Sequence, residues 1–234
     1  RNNLSSENDY LNNTFQSSIN VTKKWEGTPF NISANLRHSQ NTQTNIVNLS
    51  IPDISFNMRR VFPFKNTKGS IKDSWYNKIG ISYNMNTKNS ITIEDSLLFN
   101  KEALNNLRYG MKHSIPISTS MKLLKHFTLS PSINLTERWY LSQINKRWNG
   151  TSLITDTITK FTRAHSYSLS TNLNTKIYGT IMLKKTKIAA IRHVINPNIS
   201  FTYKPDFSDS KYGYYKSVQT DSIGNFQEYS IMQN

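Results

Sequence analysis

The chain has 234 residues, carries 29 Lys+Arg against 14 Asp+Glu for a formal charge of +15, and contains no cysteine. The missing thiols exclude disulfide scaffolds, thiolate nucleophiles and Cys-type zinc sites, and no run reaches the roughly 20 apolar residues of a membrane-spanning helix. With 11 Phe, 12 Tyr and 4 Trp the chain has too much to bury for a disordered polymer.

Along the chain, apolar and polar residues alternate with a period of two, which marks strands with two unlike faces. Phe15, Ile19, Val21 and Trp25 fall on one side of the first run. In the second, Phe30, Ile32, Ala34, Leu36 and His38 alternate with Asn31, Ser33, Asn35 and Arg37. The third changes phase: Val47, Leu49 and Ile51 share one parity, and Ile54, Phe56 and Met58 the other. One extra residue in a bulge at Pro52-Asp53 restores the facing, so one long bulged strand is expected. Alternation returns in 79–86, 109–123, 127–139, 167–177 and 197–204.

Reversal at each connector predicts eight strands in one domain over 1–234, at about 12–25, 30–40, 44–60, 77–87, 108–123, 127–141, 163–178 and 193–205. The connectors 26–29 and 124–126 are tight. Segments 88–107, 142–162 and 206 onward read as long, polar excursions at the opposite end.

The fold class expected is all-β, an antiparallel transmembrane β-barrel rather than a soluble sandwich. Strands in sandwiches usually run about five or six residues, whereas a tilted membrane strand needs about 9–11 and joins short turns on one side to long loops on the other. The polar face is small and uncharged (Ser114, Ser118, Ser130, Ser132, Asn134), which suits a wet interior better than a solvated sheet. Trp25, Phe30, Phe62, Phe64, Trp139 and Tyr140 gather near strand ends, as interfacial aromatics do. Pro52, Pro116, Pro131 and Pro197 fall inside strand runs and predict bulges or weakened pairing, since each removes a ladder donor.

The run Asn48-Leu49-Ser50-Ile51-Pro52-Asp53-Ile54-Ser55-Phe56-Asn57-Met58, followed by Val61-Phe62-Pro63-Phe64-Lys65, resembles the lipopolysaccharide-assembly outer-membrane protein family LptD in its Bacteroidetes-type form. Ile191 to Phe207, His113-Ser114-Ile115-Pro116-Ile117-Ser118 and Lys211-Tyr212-Gly213-Tyr214-Tyr215 are similar to that family as well. The resemblance implies an interior portion of a larger barrel in the outer membrane of a Gram-negative bacterium, with its lateral seam elsewhere. It implies lipopolysaccharide as substrate, with an LptE-type plug lipoprotein, the periplasmic Lpt bridge proteins and outer-membrane lipids as partners.

No phosphate loop, zinc-protease helix or nucleophile elbow is present, so neither an enzyme nor a cofactor is expected. His38, His113, His126, His165 and His193 lack the close spacing of a helical metal site. The cationic clusters Lys23-Lys24, Arg59-Arg60, Lys122/Lys125, Lys146-Arg147 and Lys184-Lys185-Lys187 suit anionic headgroups or simply solvated loops. Aromatic and basic residues do not share a face as a base-stacking groove would need, which argues against nucleic acid. The candidate lumen-facing path is Asn35, Arg37, Arg138, Asn172, Lys176 and Lys204, where charge sets the field met by a passing anion. A porin or nutrient-transport barrel, and a soluble surface β adhesin, are the competing readings.

Overall fold

The computed structural model describes residues 13–65, 74–101, 103, 107–183 and 190–232. Its strands are β1 (Thr14–Lys24), β2 (Phe30–Asn41), β3 (Ile46–Val61), β4 (Gly80–Glu94), β5 (Arg108–Ser118), β6 (Met121–Leu123), β7 (Phe127–Trp148), β8 (Leu153–Asn174), β9 (Ile177–Met182), β10 (Ala190–Ile195), β11 (Asn198–Tyr203), β12 (Tyr215–Gln219) and β13 (Phe226–Ser230). The main sheet is an antiparallel meander in the order β1-β2-β3-β4-β5-β7-β8-β11, with β6 paired to β7. Among the described residues it does not close on itself. Among the described residues no helix is long and apolar enough to cross a membrane, which says nothing of crossing by strands.

Register follows side-chain character. Ile81, Ile117, Ile133, Leu169 and Tyr203 stand directly opposite one another across β4, β5, β7, β8 and β11. On the other face, Lys24, Asn31, Asn57, Asn84, Ser114, Thr136 and Ser166 form an unbroken polar row from β1 to β8. A one-residue slip would mix the two rows, so alternation fixes the pairing.

The bulge at Pro52-Asp53 is present. Asn35 pairs with Asp53 and Arg37 with Ser50, so β3 carries the additional residue and both halves keep their apolar side chains on one face. Pro116 coincides with a gap in the β4–β5 pairing, between Ile81↔Ile117 and Asn84↔Ser114. Pro197 does more. The run expected as one strand over 193–205 splits at Asn196-Pro197 into β10 and β11, and its partner splits at Thr175-Lys176 into β8 and β9. β9 and β10 form a separate two-stranded sheet, because a residue without an N–H interrupts the ladder.

Two expected loops contain strand, 88–107 in its first third and 142–162 for most of its length. β4 continues to Glu94, and β7 and β8 run on as a hairpin to Trp148 and Leu153. Their polar and charged side chains suggest loops, yet backbone pairing does not require apolar side chains where both faces meet water. From β4 the chain turns back so that Leu97, Leu98, Ala103 and Leu107 pack on Ile91 and Ile93. After β11, the hairpin β12–β13 docks beside the far end of β7, where Ile144, Val218, Tyr229 and Ile231 make a small core. Ile144 donates its N–H to Ile231 O at 2.9 Å, and Lys146 donates its N–H to Tyr229 Oη at 3.0 Å, so free ladder groups of β7 are taken up. The cluster Lys184-Lys185-Lys187 lies outside the described residues.

Candidate functional site

Each face of the sheet has its own organisation. On the apolar face, rings contact across strands at diagonal positions, which aromatic side chains can span. Centroids step from Phe30 to Phe56 (5.8 Å), Tyr83 (6.0 Å), His113 (6.0 Å), Trp139 (4.3 Å) and Phe161 (6.1 Å). Tyr83 Oη and His113 Nδ1 lie 2.7 Å apart. Trp139 Nε1 donates to Glu137 Oε1 at 2.7 Å, and the Arg163 guanidinium meets the same carboxylate at 3.3 Å. Between this belt and the tight turns the face is apolar and largely open, with Leu135 40 % exposed and Leu169 39 %, while Phe207 packs on Tyr167 at 5.7 Å.

The polar face bonds to itself through side chains. Asn57 Nδ2 donates to Asn31 Oδ1 (3.1 Å), Ser55 Oγ to Asn86 Oδ1 (2.8 Å), Thr92 Oγ1 to Asn48 Oδ1 (2.6 Å) and Ser114 Oγ to Asn134 Oδ1 (3.1 Å). Ser170 and Thr202 hydroxyls are 3.1 Å apart. Such a surface is polar without being highly charged, and water or hydroxylated ligands can exchange bonds with it.

A basic hollow of about 420 Å³ interrupts this wall over β4, β5 and β7. Its frame is set by register. Lys88, Gly110 and Tyr140 stand in one row, and Asn86, Lys112 and Arg138 in the next. Arg108, opposite Ser90, closes the third side. The centre is therefore a glycine, ringed by Lys88, Arg108, Lys112 and Arg138, and walled by Tyr140. A Cβ at Gly110 would meet the Tyr140 ring at 3.7 Å, ordinary contact. Packing does not demand glycine there, and its effect is to leave the floor open. Arg138 donates to Ser166 Oγ at 3.3 Å, and no residue lining the hollow carries a carboxylate.

A second hollow, of about 300 Å³, adjoins the first and shares Arg138 and Tyr140 with it. Lys204 and Ser166 line it from the sheet, and Tyr214, Ser230 and Met232 from the C-terminal segment. Tyr214 Oη lies 2.9 Å from His165 Nδ1 and accepts the His165 N–H at 2.9 Å, tying that segment to the edge of β8.

Of the expected path residues, the structure thus brings Arg138 and Lys204 to one hollow. Asn35 and Arg37 are on β2, opposite Asp53 and Ser50, strands away from Arg138. Asn172 stands between Ser130 and Ser200 on the polar face and accepts from Asn174 Nδ2 at 3.4 Å. Lys176 sits exposed in the step between β8 and β9. Sequence reasoning missed Lys88, Arg108 and Lys112. It places Lys88 at the start of a loop and Arg108 and Lys112 in the strand after it, although the alternation of Asn84, Asn86, Lys88 and Ser90 with Tyr83, Met85 and Ile91 continues into that loop. Among the described residues no three His, Asp or Glu side chains gather as a metal site would need.

Neither curated proteins nor solved structures yield a match to this chain. A family model described as LptD protein matches residues 1–234. The resemblance read from the strand motifs and the two-faced sheet agree with that match, and the chain belongs to the LptD protein family of outer-membrane, lipopolysaccharide-transport proteins.

Proposed function

We propose that this chain forms part of the wall of an outer-membrane lipopolysaccharide translocon, its apolar face toward lipid and its polar face toward a wet lumen. The observation carrying this reading is the bare aliphatic band on one face of a sheet whose other face is hydrogen-bonded amide and hydroxyl. Phe127 and Trp139 lie twelve residues apart on β7. At about 3.3 Å per residue and a tilt of about 40–45°, that span rises roughly 28–30 Å. A hydrocarbon core of about 30 Å matches it. Aromatic rings then stand at both boundaries, and the Glu137–Arg163 pair sits at headgroup level, where charge is inexpensive.

The polar face supplies what the substrate needs. A saccharide crossing hydrocarbon would leave many hydroxyls unpaired, at several kcal/mol each. Rows such as Ser118, Ser132, Ser170 and Thr202 offer donors and acceptors along the strands. The acyl chains leave sideways through a lateral seam outside these strands, and a plug lipoprotein of LptE type and the periplasmic Lpt bridge complete the route. The chain holds no nucleotide-binding motif, and on this reading the energy for transport comes from those other components.

Depleting the protein tests the reading. Newly made lipopolysaccharide should stop reaching the cell surface and accumulate inside. Normal surface delivery, together with free diffusion of small solutes through the reconstituted protein, would instead indicate a general porin.

A further inference from the structure

Resting on that transport reading, we infer that the hollow around Gly110 is a binding site for a phosphate ester carried on a saccharide. Elsewhere on the polar face charges such as Lys24, Arg37 and Asp53 are scattered, yet Lys88, Arg108, Lys112 and Arg138 converge here with no carboxylate among the lining residues. Lys112 stands directly opposite Arg138, and like charges in that position destabilise a sheet. Among the described residues Lys88, Arg108 and Lys112 form no ion pair. Like charges set opposite each other with no carboxylate beside them cost folding stability, and an external anion relieves that repulsion.

The geometry specifies the anion. Residues two apart on a strand, and partners on the two adjoining strands, surround the vacant position above Gly110 at spacings of about 5–7 Å. A tetrahedral group with three or four oxygens reaches cations on all of these sides, and the Arg108 and Arg138 guanidinium forks suit paired oxygens. A phosphomonoester carries about −1.5 to −2 charge near neutrality. Tyr140 borders Gly110 on the side away from Lys88, and its ring gives the sugar an apolar surface to lie against. The volume of about 420 Å³ holds a monosaccharide phosphate. The level is also telling. Met111, between Gly110 and Lys112 on the opposite face, is paired with Trp139 of the aromatic belt, so the hollow lies at the height of one membrane boundary. The adjoining hollow, with Arg138 in common and Lys204 beyond, provides room for the next sugar unit.

The test is titration of glucose 1-phosphate into the full-length protein in detergent at low salt, followed calorimetrically, with glucose, glucuronic acid and inorganic phosphate as companion probes. Glucose 1-phosphate should bind, and its affinity should fall at least tenfold in Arg108→Gln and in Lys112→Gln. Gly110→Glu, which places a carboxylate on the floor, should abolish binding while the heat-dependent gel shift of a folded barrel remains. Raising the salt should weaken binding, glucose should not bind, and the other two probes should bind more weakly. An affinity unchanged by all three substitutions overturns the site. Equal binding of inorganic phosphate or glucuronic acid overturns the assignment to sugar phosphates. These results are independent of the depletion experiment: lipopolysaccharide delivered normally without the protein removes the transport reading and leaves the titration to stand or fall by itself.

Discussion

The middle of the sheet and its far end solve the same problem in opposite ways. In the middle, Ile133 and Leu135 remain 39 % and 40 % exposed on one face. At the far end, apolar groups on both faces are covered. Leu97, Leu98 and Ala103 close over Ile91 and Ile93, and Val218, Tyr229 and Ile231 close over Ile144, which drops to 5 % exposure. Among the described residues, folded segments close over a few isoleucines near the loops while Ile133 and Leu135 stay open, and on the proposed wall reading the two regions meet different surroundings. Water demands a cover, at roughly 25 cal/mol per Å² of apolar surface. Lipid does not.

The strongest way to break this comparison is to charge the bare band. Leu135→Arg or Ile133→Lys should destabilise the full-length protein by about 2–4 kcal/mol in bilayers near mid-depth, measured by urea unfolding in vesicles. Changes at the neighbours Asn134 or Ser132 should cost far less, and equal costs on both sets would refute the assigned faces. A comparable loss of about 2–5 kcal/mol is expected for Ile144→Ala, with a different signature. Hydrogen exchange should rise in β12, β13 and residues 142–148 while the Ile81-to-Tyr203 row stays protected. Exchange rising throughout would mean that the far end is not a separate packing unit.

A smaller effect sharpens the contrast on the polar face. Lys112→Gln removes the charge opposite Arg138 and should raise stability by about 0.2–1 kcal/mol, read from the denaturant midpoint. A loss of stability would mean that Lys112 has an internal partner. The smallest effect concerns pH and the C-terminal segment. Ser208 lowers the Asp206 carboxyl through its hydroxyl and its N–H, Lys211 lowers Asp209 through its N–H and side chain, and Asn225 lowers Asp221 with its N–H and amide. Carboxyls held below their ordinary 3.8 lend support that is complete above that value and is lost as pH falls through the lowered ones. Proteolytic protection of residues 206–225 should therefore stay level from pH 8 to about 5 and decline only below about 4. A decline already complete above about pH 5 would mean that these carboxylates do not hold the segment.

The meander was legible because alternation is a local property of strands, and the phase change across Pro52-Asp53 marked its bulge for the same reason. Pro197 announced a disturbance but not its form, because whether a missing donor bends a ladder or splits it depends on the partner strand. The β7–β8 extension was hidden by composition. Thr155, Asp156 and Thr157 look like loop, yet they pair as well as any apolar run when both faces are wet. The C-terminal hairpin gave too short a pattern, five residues per strand, to stand out. Arg138 and Lys204 were visible as charges on the polar parity. Their meeting was not, since it depends on β11 pairing with β8 and on the segment that follows it. The hollow escaped notice because Lys88, Arg108 and Lys112 come together only through the β4–β5 register, which is a tertiary quantity.

The bonds between side chains along the polar face bear on how quickly a sugar could pass. An amide or hydroxyl already paired to its neighbour gives up that bond to accept a sugar hydroxyl, so each exchange is close to even, with a net of about 0.5–1.5 kcal/mol at most. A surface of this kind neither repels a glycan nor holds it. On the proposed transport reading it is a track of low friction, on which the few sites that grip would decide where a travelling molecule pauses.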